Sequence, residues 1–232
     1  MKTNSISRVR GFTLLETVIA IGVLAVLLTG FMVVFAPAAD GIRKSINVQQ
    51  ADRMASALEQ EIVTMRNGEK TGFERAFKWI DESNEERNAI MAYQYRGEIA
   101  GLRTDDNTPK PVSDLKGSPG KDYMLVPMVR RLSDSKFKED LAAIEGGVYL
   151  VRCTQLIFKN GQLSLGKEGD IVDPKAGGIV PVAAYPEAVI AFSADFHQMT
   201  AKSDVYFKSD AFKKKFQNPK NPLFSRNLAV RR

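Results

Sequence analysis

One cysteine, one histidine and one tryptophan are all that 232 residues contain of those three types. The lone Cys153 excludes an intrachain disulfide, so an exported domain built from this chain must rely on its core or on a bound ion. The lone His197 excludes a His-rich metal site and argues against a Ser-His-Asp triad. There is no phosphate-binding P-loop, no dinucleotide fingerprint, no cysteine pair and no nucleophile elbow. Acidic residues are plentiful but none forms a compelling pair for acid–base work. No enzyme class is indicated. Internal repeats and low-complexity tracts are also missing. Finally, no charged residue occurs between Thr17 and Ala39.

That last absence is the most informative. About 23 apolar residues at 1.5 Å each span roughly 34 Å, enough to cross the hydrocarbon core of a bilayer. A carboxylate, Glu16, sits just inside the N-terminal edge of the segment. An ionisable group there is costly and calls for a partner and a function. Before it, Met1 to Gly11 carries Lys2, Arg8 and Arg10 and no acid, which keeps this end in the cytoplasm and sends the bulk of the chain outside. Three readings of the stretch share that orientation. One is a helix that is retained and gives Glu16 a partner. Another is a cleaved secretory signal, since Ala36-Pro37-Ala38 gives a small-x-small pattern, although the run is long for a signal core and Glu16 would be an intrusion. The third is a plain anchor for an outer-face binding module that does not polymerise.

The string Gly11-Phe12-Thr13-Leu14-Leu15-Glu16, with its basic leader and following apolar helix, resembles the signal of type IV prepilins and type II secretion pseudopilins. The resemblance is close over residues 8–40 and reaches, as a helix pattern, to about residue 67. It implies cleavage by a prepilin peptidase after Gly11, methylation of the new amine of Phe12, and retention of the helix. It also implies that Glu16 pairs with the terminal ammonium of a neighbouring subunit, because a carboxylate buried among packed helices is tolerated only if paired. The chemistry suits the residues: Gly11 has no side chain to exclude from a protease site, and Glu16 lies one turn from the new amine. Two features depart from many pilins. No disulfide is possible, and Val33 stands where a proline is common.

Composition places the remainder. With 44% hydrophobic and 26% charged residues, the roughly 190 residues beyond the membrane segment suffice for one globular domain. The net charge of +6 falls to about +3 without Lys2, Arg8 and Arg10, too weak a bias for a nucleic-acid partner. After Ala39 the helix is expected to continue, with Ile42, Ile46, Met54, Leu58, Ile62 and Met65 on one face. Asn67-Gly68 is the expected stop, giving a helix of about 80 Å. A break into two helices at Pro37 is the other option.

Thr71–Ser83 reads as a short amphipathic helix with Trp79 in the core. Asn88–Ile99 reads as a strand with Met91, Tyr93 and Tyr95 on one face. Gly101–Asp122 is a proline- and glycine-rich loop. Tyr123–Leu132 reads as a strand interrupted by Pro127, and Ser133–Glu145 as a short helix. Gly147–Phe158, Asn160-Gly161 and Gln162–Leu165 form a hairpin signal, with Cys153 buried and inert. Lys167–Gly178 is a second loop, Ala188–Met199 another alternating strand, and Leu228–Val230 a possible last one.

Two chemical candidates remain in the loops. Asp170 and Asp173, or Asp105, Asp106 and Asn107, could offer oxygen ligands to calcium, as the resemblance to some pseudopilins allows; solvated acids are the plainer reading. Phe212-Lys213-Lys214-Lys215-Phe216 could touch nucleic acid through lysines and stacked aromatics, but a solvated face is the plainer reading there too.

The expected architecture is α+β: one long N-terminal helix packed on an antiparallel sheet, as in the pilin fold the resemblance implies. The expected organisation is a cytoplasmic leader (1–11), a transmembrane or filament-core helix (12–39), the second half of the helix (40–67) and an exported globular region (68–232). The expected function is a minor type IV pilin or pseudopilin, not an enzyme. Its expected partners are prepilin peptidase, other pilin or pseudopilin subunits, the inner-membrane assembly machinery and, before assembly, membrane lipid.

Overall fold

A computed structural model describes residues 13–63, 71–114, 116–159 and 161–232. Its first element is α1, Leu14–Val63, a helix of 50 residues. The helix does not break at Pro37: that residue lies inside it, at the cost of one missing backbone donor. The expected stop at Asn67-Gly68 and the apolar Met65 lie outside the described residues. The chain divides into two compact units, one holding α1 up to Ile46 and the other Asn47–Arg232.

In the first unit the apolar run of α1 is exposed throughout, from Leu14 to Phe35. Ile42 and Ile46, expected on the buried stripe, are exposed as well.

In the second unit α1 buries Ala51, Met54, Ala55, Leu58 and Ile62. Their spacing is that of one helical face. The two alanines, small enough to let the helix approach the sheet closely, complete the stripe that Met54, Leu58 and Ile62 announce. Next comes α2, Gly72–Asp81, capped by Thr71, whose hydroxyl accepts from the Glu74 amide at 3.1 Å. It turns Phe73, Ala76, Phe77 and Ile80 inward. Trp79 is buried between the guanidinium groups of Arg75 and Arg131, at 4.8 and 5.2 Å from its ring.

Seven strands among the described residues form one antiparallel sheet: β1 (Ile90–Leu102), β2 (Pro109–Pro111), β3 (Met124–Arg131), β4 (Ile144–Lys159), β5 (Gln162–Glu168), β6 (Val189–Gln198) and β7 (Phe224–Arg231). The main order is β3–β1–β4–β6–β7, with β2 also on β1 and β5 on β4. Alternation along each strand splits the core in two. Ile90 and Ala92 of β1, with Phe192, Ala194 and Phe196 of β6, meet α1 and α2. Met91, Tyr93 and Tyr95, with Val148 and Leu150 of β4, face the other way. This α+β arrangement fits the pilin-like fold.

The second face is covered too. Three short helices, α3 (Ser135–Asp140), α4 (Asp204–Phe207) and α5 (Asp210–Gln217), supply Phe137, Phe207, Phe212 and Phe216 to it. Each starts at a side chain that accepts an orphan amide: Asp134 from Lys136, Ser203 from Tyr206, Ser209 from Phe212. Such caps let helices this short form where propensity alone would not.

Several boundaries differ from expectation. Pro127 does not interrupt β3, where it pairs with Gln94; β3 pairs only with β1 among the described residues, so the missing donor faces away from the ladder. The expected loop from Gly101 contains β2 and the end of β1. Ile144, expected on a helix, opens β4, because the helix ends in a 3-10 turn at Leu141–Ala143. The last strand begins at Phe224 rather than Leu228. The hairpin forms with Lys159 opposite Gln162 and Gly161 at φ +77°, a backbone state open to glycine; Asn160 lies outside the described residues.

Candidate functional site

The N-terminal end of α1 is built by two side chains. The Thr13 amide donates to Glu16 Oε2 at 2.9 Å, the Thr13 hydroxyl donates to the same oxygen at 2.8 Å, and the Glu16 amide donates back to Thr13 Oγ1 at 3.3 Å. This is a reciprocal capping box. It satisfies orphan donors at the helix end, and it fixes the carboxylate at the first turn of a helix that carries no other charge before Asp40. Sequence reasoning singled out Glu16 but missed Thr13 as its partner; the Thr-x-x-Glu spacing was the available signal. Gly11 and Phe12 lie outside the described residues. Behind Glu16 the apolar surface is unbroken, and Thr29 hides its hydroxyl by donating to the Ala25 carbonyl at 2.8 Å. Among the described residues α1 is the one helix long and apolar enough to cross a membrane.

The acidic candidates each have partners within the fold. Asp170 pairs with Lys167 at 3.1 Å. Asp173 accepts the Lys175 and Ala176 amides at 2.7 and 3.1 Å, and these bonds, that from Ala176 foremost, hold its carboxyl below the usual range. Asp105 pairs with Lys136 at 2.6 Å. Asp106 accepts from the Thr108 amide and hydroxyl and pairs with Arg130 at 3.0 Å and Lys136 at 3.2 Å. Burial opposes its ionisation, but Thr108, Arg130 and Lys136 outweigh it and hold the carboxyl well below the usual carboxylate range. Asn107 turns the loop with φ 55°. Among the described residues no three His, Cys, Asp or Glu side chains group as a metal site would need. The Cys153 thiol is fully buried and pushed up to about 12 by that burial, so it is not a nucleophile at neutral pH. In the lysine-rich stretch Phe212 and Phe216 belong to the core while Lys213 and Lys214 are exposed; the aromatics are not offered to bases.

The largest polar cluster was not foreseen. Asp140, wholly buried, accepts from the Tyr93 hydroxyl at 2.6 Å and pairs with Arg103 at 2.7 Å and Arg130 at 3.3 Å. Arg130 also reaches Asp106 and Asp134, and Thr108 accepts from both arginines. This network ties the loop after β1 to α3. Every one of the named charges has an opposite charge beside it, which marks the cluster as a clamp.

A family model described as the prokaryotic N-terminal methylation motif matches residues 6–32. No curated protein and no solved structure matches the chain. The matched stretch takes in the capping box and the apolar run as far as Met32. The motif belongs to structural subunits, and it implies processing by prepilin peptidase and assembly with other pilin subunits. The chain thus carries, over residues 6–32, the N-terminal methylation signal found in type IV pilins and pseudopilins.

Proposed function

We propose that this chain is a minor type IV pilin or pseudopilin, a non-enzymatic structural subunit of a pilus-like filament. Residues 1–11 form the cytoplasmic leader, prepilin peptidase cuts after Gly11, and the amine of Phe12 is methylated. Residues 12–39 hold the precursor in the inner membrane and later enter the filament core. The assembly machinery extracts them from lipid, and the region from Asp40 onward stays outside the cytoplasm. The observation that carries the reading is Glu16, held by Thr13 at the first turn of a helix that is uncharged and exposed from Thr17 to Ala39, inside the matched motif. A domain longer than that of most major pilins supports a minor subunit.

N-terminal sequencing of membrane-extracted protein tests the reading. The expected start is Phe12, and Gly11→Val is expected to leave the precursor uncut while membrane insertion persists. A start after Ala38, or an intact leader in the unaltered chain, rules out the filament reading and leaves a secretory signal or a plain anchor.

The reading assigns no cation to the Asp170–Asp173 loop, which its own lysine and amides already satisfy. Melting curves in calcium and in chelator are expected to superimpose. A cation at 100 times its Kd would add about 2.7 kcal/mol, so an upward shift of several degrees with calcium overturns this assignment.

A further inference from the structure

Past its pairing with the main sheet, β4 becomes half of a free ribbon. Its ladder with β1 ends at Val151 and that with β6 at Gln155. From Leu156 to Lys159 its partner is β5, which pairs with no other strand among the described residues. A two-stranded ribbon in water is marginal unless something covers a face of it. The cross-strand register puts Leu156 opposite Leu165 and Phe158 opposite Leu163, so these four side chains share one face. Ile157, Lys159, Gln162 and Ser164 share the other. Phe158 is 67% exposed, Leu163 60% and Leu165 65%. The ribbon is therefore amphipathic, with its apolar face turned to solvent and both strand edges open.

We infer that this face docks onto another subunit of the same filament, one tethered beside it by its own N-terminal helix. The inference rests on the filament reading above. Area selects this occupant. Four side chains of this size offer on the order of 400 Å², within the range of the largest, often functional, patch of a soluble monomer and about half of what each partner buries in a stable free complex. A contact that small does not hold two freely diffusing molecules together. It does suffice when tethering raises the effective concentration to roughly the millimolar range. The lack of charge on the face also disfavours a lipid headgroup or nucleic acid as occupant.

The test places a benzoylphenylalanine photoprobe at Phe158 in the full chain, expressed with its own assembly system, and a control probe at the exposed Lys213. Irradiation is expected to join the Phe158 probe, and not the control, to a second chain that itself carries the methylation signal, identified by mass. A crosslink to phospholipid or to a soluble protein, equal crosslinking by both probes, or no crosslink at all overturns the docking face. Phe158→Asp with Leu165→Asp is expected to lower recovery in sheared filaments at least tenfold, with melting unchanged because both sites are exposed; unchanged recovery counts against the docking face. Leader cleavage, read on the same samples, keeps the two ideas apart. Cleaved chain without a crosslink overturns the docking face alone. Uncleaved chain overturns the filament reading, and with it the occupant assigned to the face.

Discussion

Glu16→Gln is expected to drop out of filaments by about two orders of magnitude while keeping its helix intact. The structure makes this substitution more telling than removal of the side chain. Glu16 does two things at once. It caps α1 with Thr13, and in the proposed filament it neutralises the terminal ammonium of a neighbour. Glutamine serves as well as glutamate in a capping box, so it preserves the first role and deletes the second. Losing one member of a buried ion pair costs about 3–5 kcal/mol, and every 1.4 kcal/mol is tenfold in an equilibrium. Thr13→Ala does the reverse: the cap goes, at about 1 kcal/mol, and the charge stays, so only a several-fold loss is expected. Both bonds from Thr13 end on Oε2, which leaves Oε1 for the ammonium, so the two roles need not compete. Glu16→Lys should be the worst, since it sets like charges together. A plain anchor predicts that removing the carboxylate is neutral or helpful. The measurement is the protein in sheared filaments against that left in the membrane. If Glu16→Gln assembles like the unaltered chain while Thr13→Ala does not, Glu16 is a helix cap and nothing more.

What could be read from the sequence follows from how local the cause is. The helix of α1 was legible because its signal is purely local: an apolar run, a four-residue rhythm and a glutamate in register. Even there, the cap at Thr13 escaped notice because the spacing was read as a processing signal alone. Strand β6 was legible from the alternation of Ile190, Phe192, Ala194 and Phe196, and the hairpin from its turn. The second layer of helices was not legible as a layer. Phe137, Phe207, Phe212 and Phe216 gather only because Tyr93, Tyr95 and Leu150 present a second apolar face, and sequence spacing does not say whether an antiparallel sheet is covered once or twice. Strand β2 was hidden by its two prolines, which an edge position tolerates. The Asp140 cluster draws on Tyr93, Arg103 and Arg130, which no local pattern connects. Of the candidate site, Glu16 was legible as a carboxylate at the head of the apolar run, while the partners of Asp105 and Asp106, Lys136 and Arg130, were not, because they lie far away in sequence.

Asp140→Ala should produce the largest loss of stability in the unit from Asn47 to Arg232, about 3–5 kcal/mol. Asp140 pairs with both Arg103 and Arg130, and all three are buried. Removing it leaves Arg103 with the exposed Glu139 and Arg130 with Asp106 and Asp134, so two buried cations lose their common, fully buried counter-charge, which is the costly way to break a buried pair. For a unit of this size each kcal/mol moves the melting midpoint by roughly 2–4 °C, so a fall of about 6 to 20 °C is expected by near-UV circular dichroism. Tyr93→Phe removes a single bond to the same carboxylate and should cost about 1.5–3 kcal/mol. Arg226→Ala, which breaks a more exposed pair with Asp52, should cost 1 kcal/mol or less. Acid adds an independent reading. The Asp106 carboxyl is held below its ordinary value in the folded chain, so the unfolded state binds its proton first. Its contribution is fully present above the unfolded pKa of about 4 and fades as pH falls below that toward the folded value. Stability should therefore hold steady from neutral pH to about 5 and fall steeply below 4, and Asp106→Asn should flatten that fall. If Asp140→Ala melts within a degree or two of Arg226→Ala, the buried charges relax into water more readily than their burial implies, and the cluster does not clamp the loop.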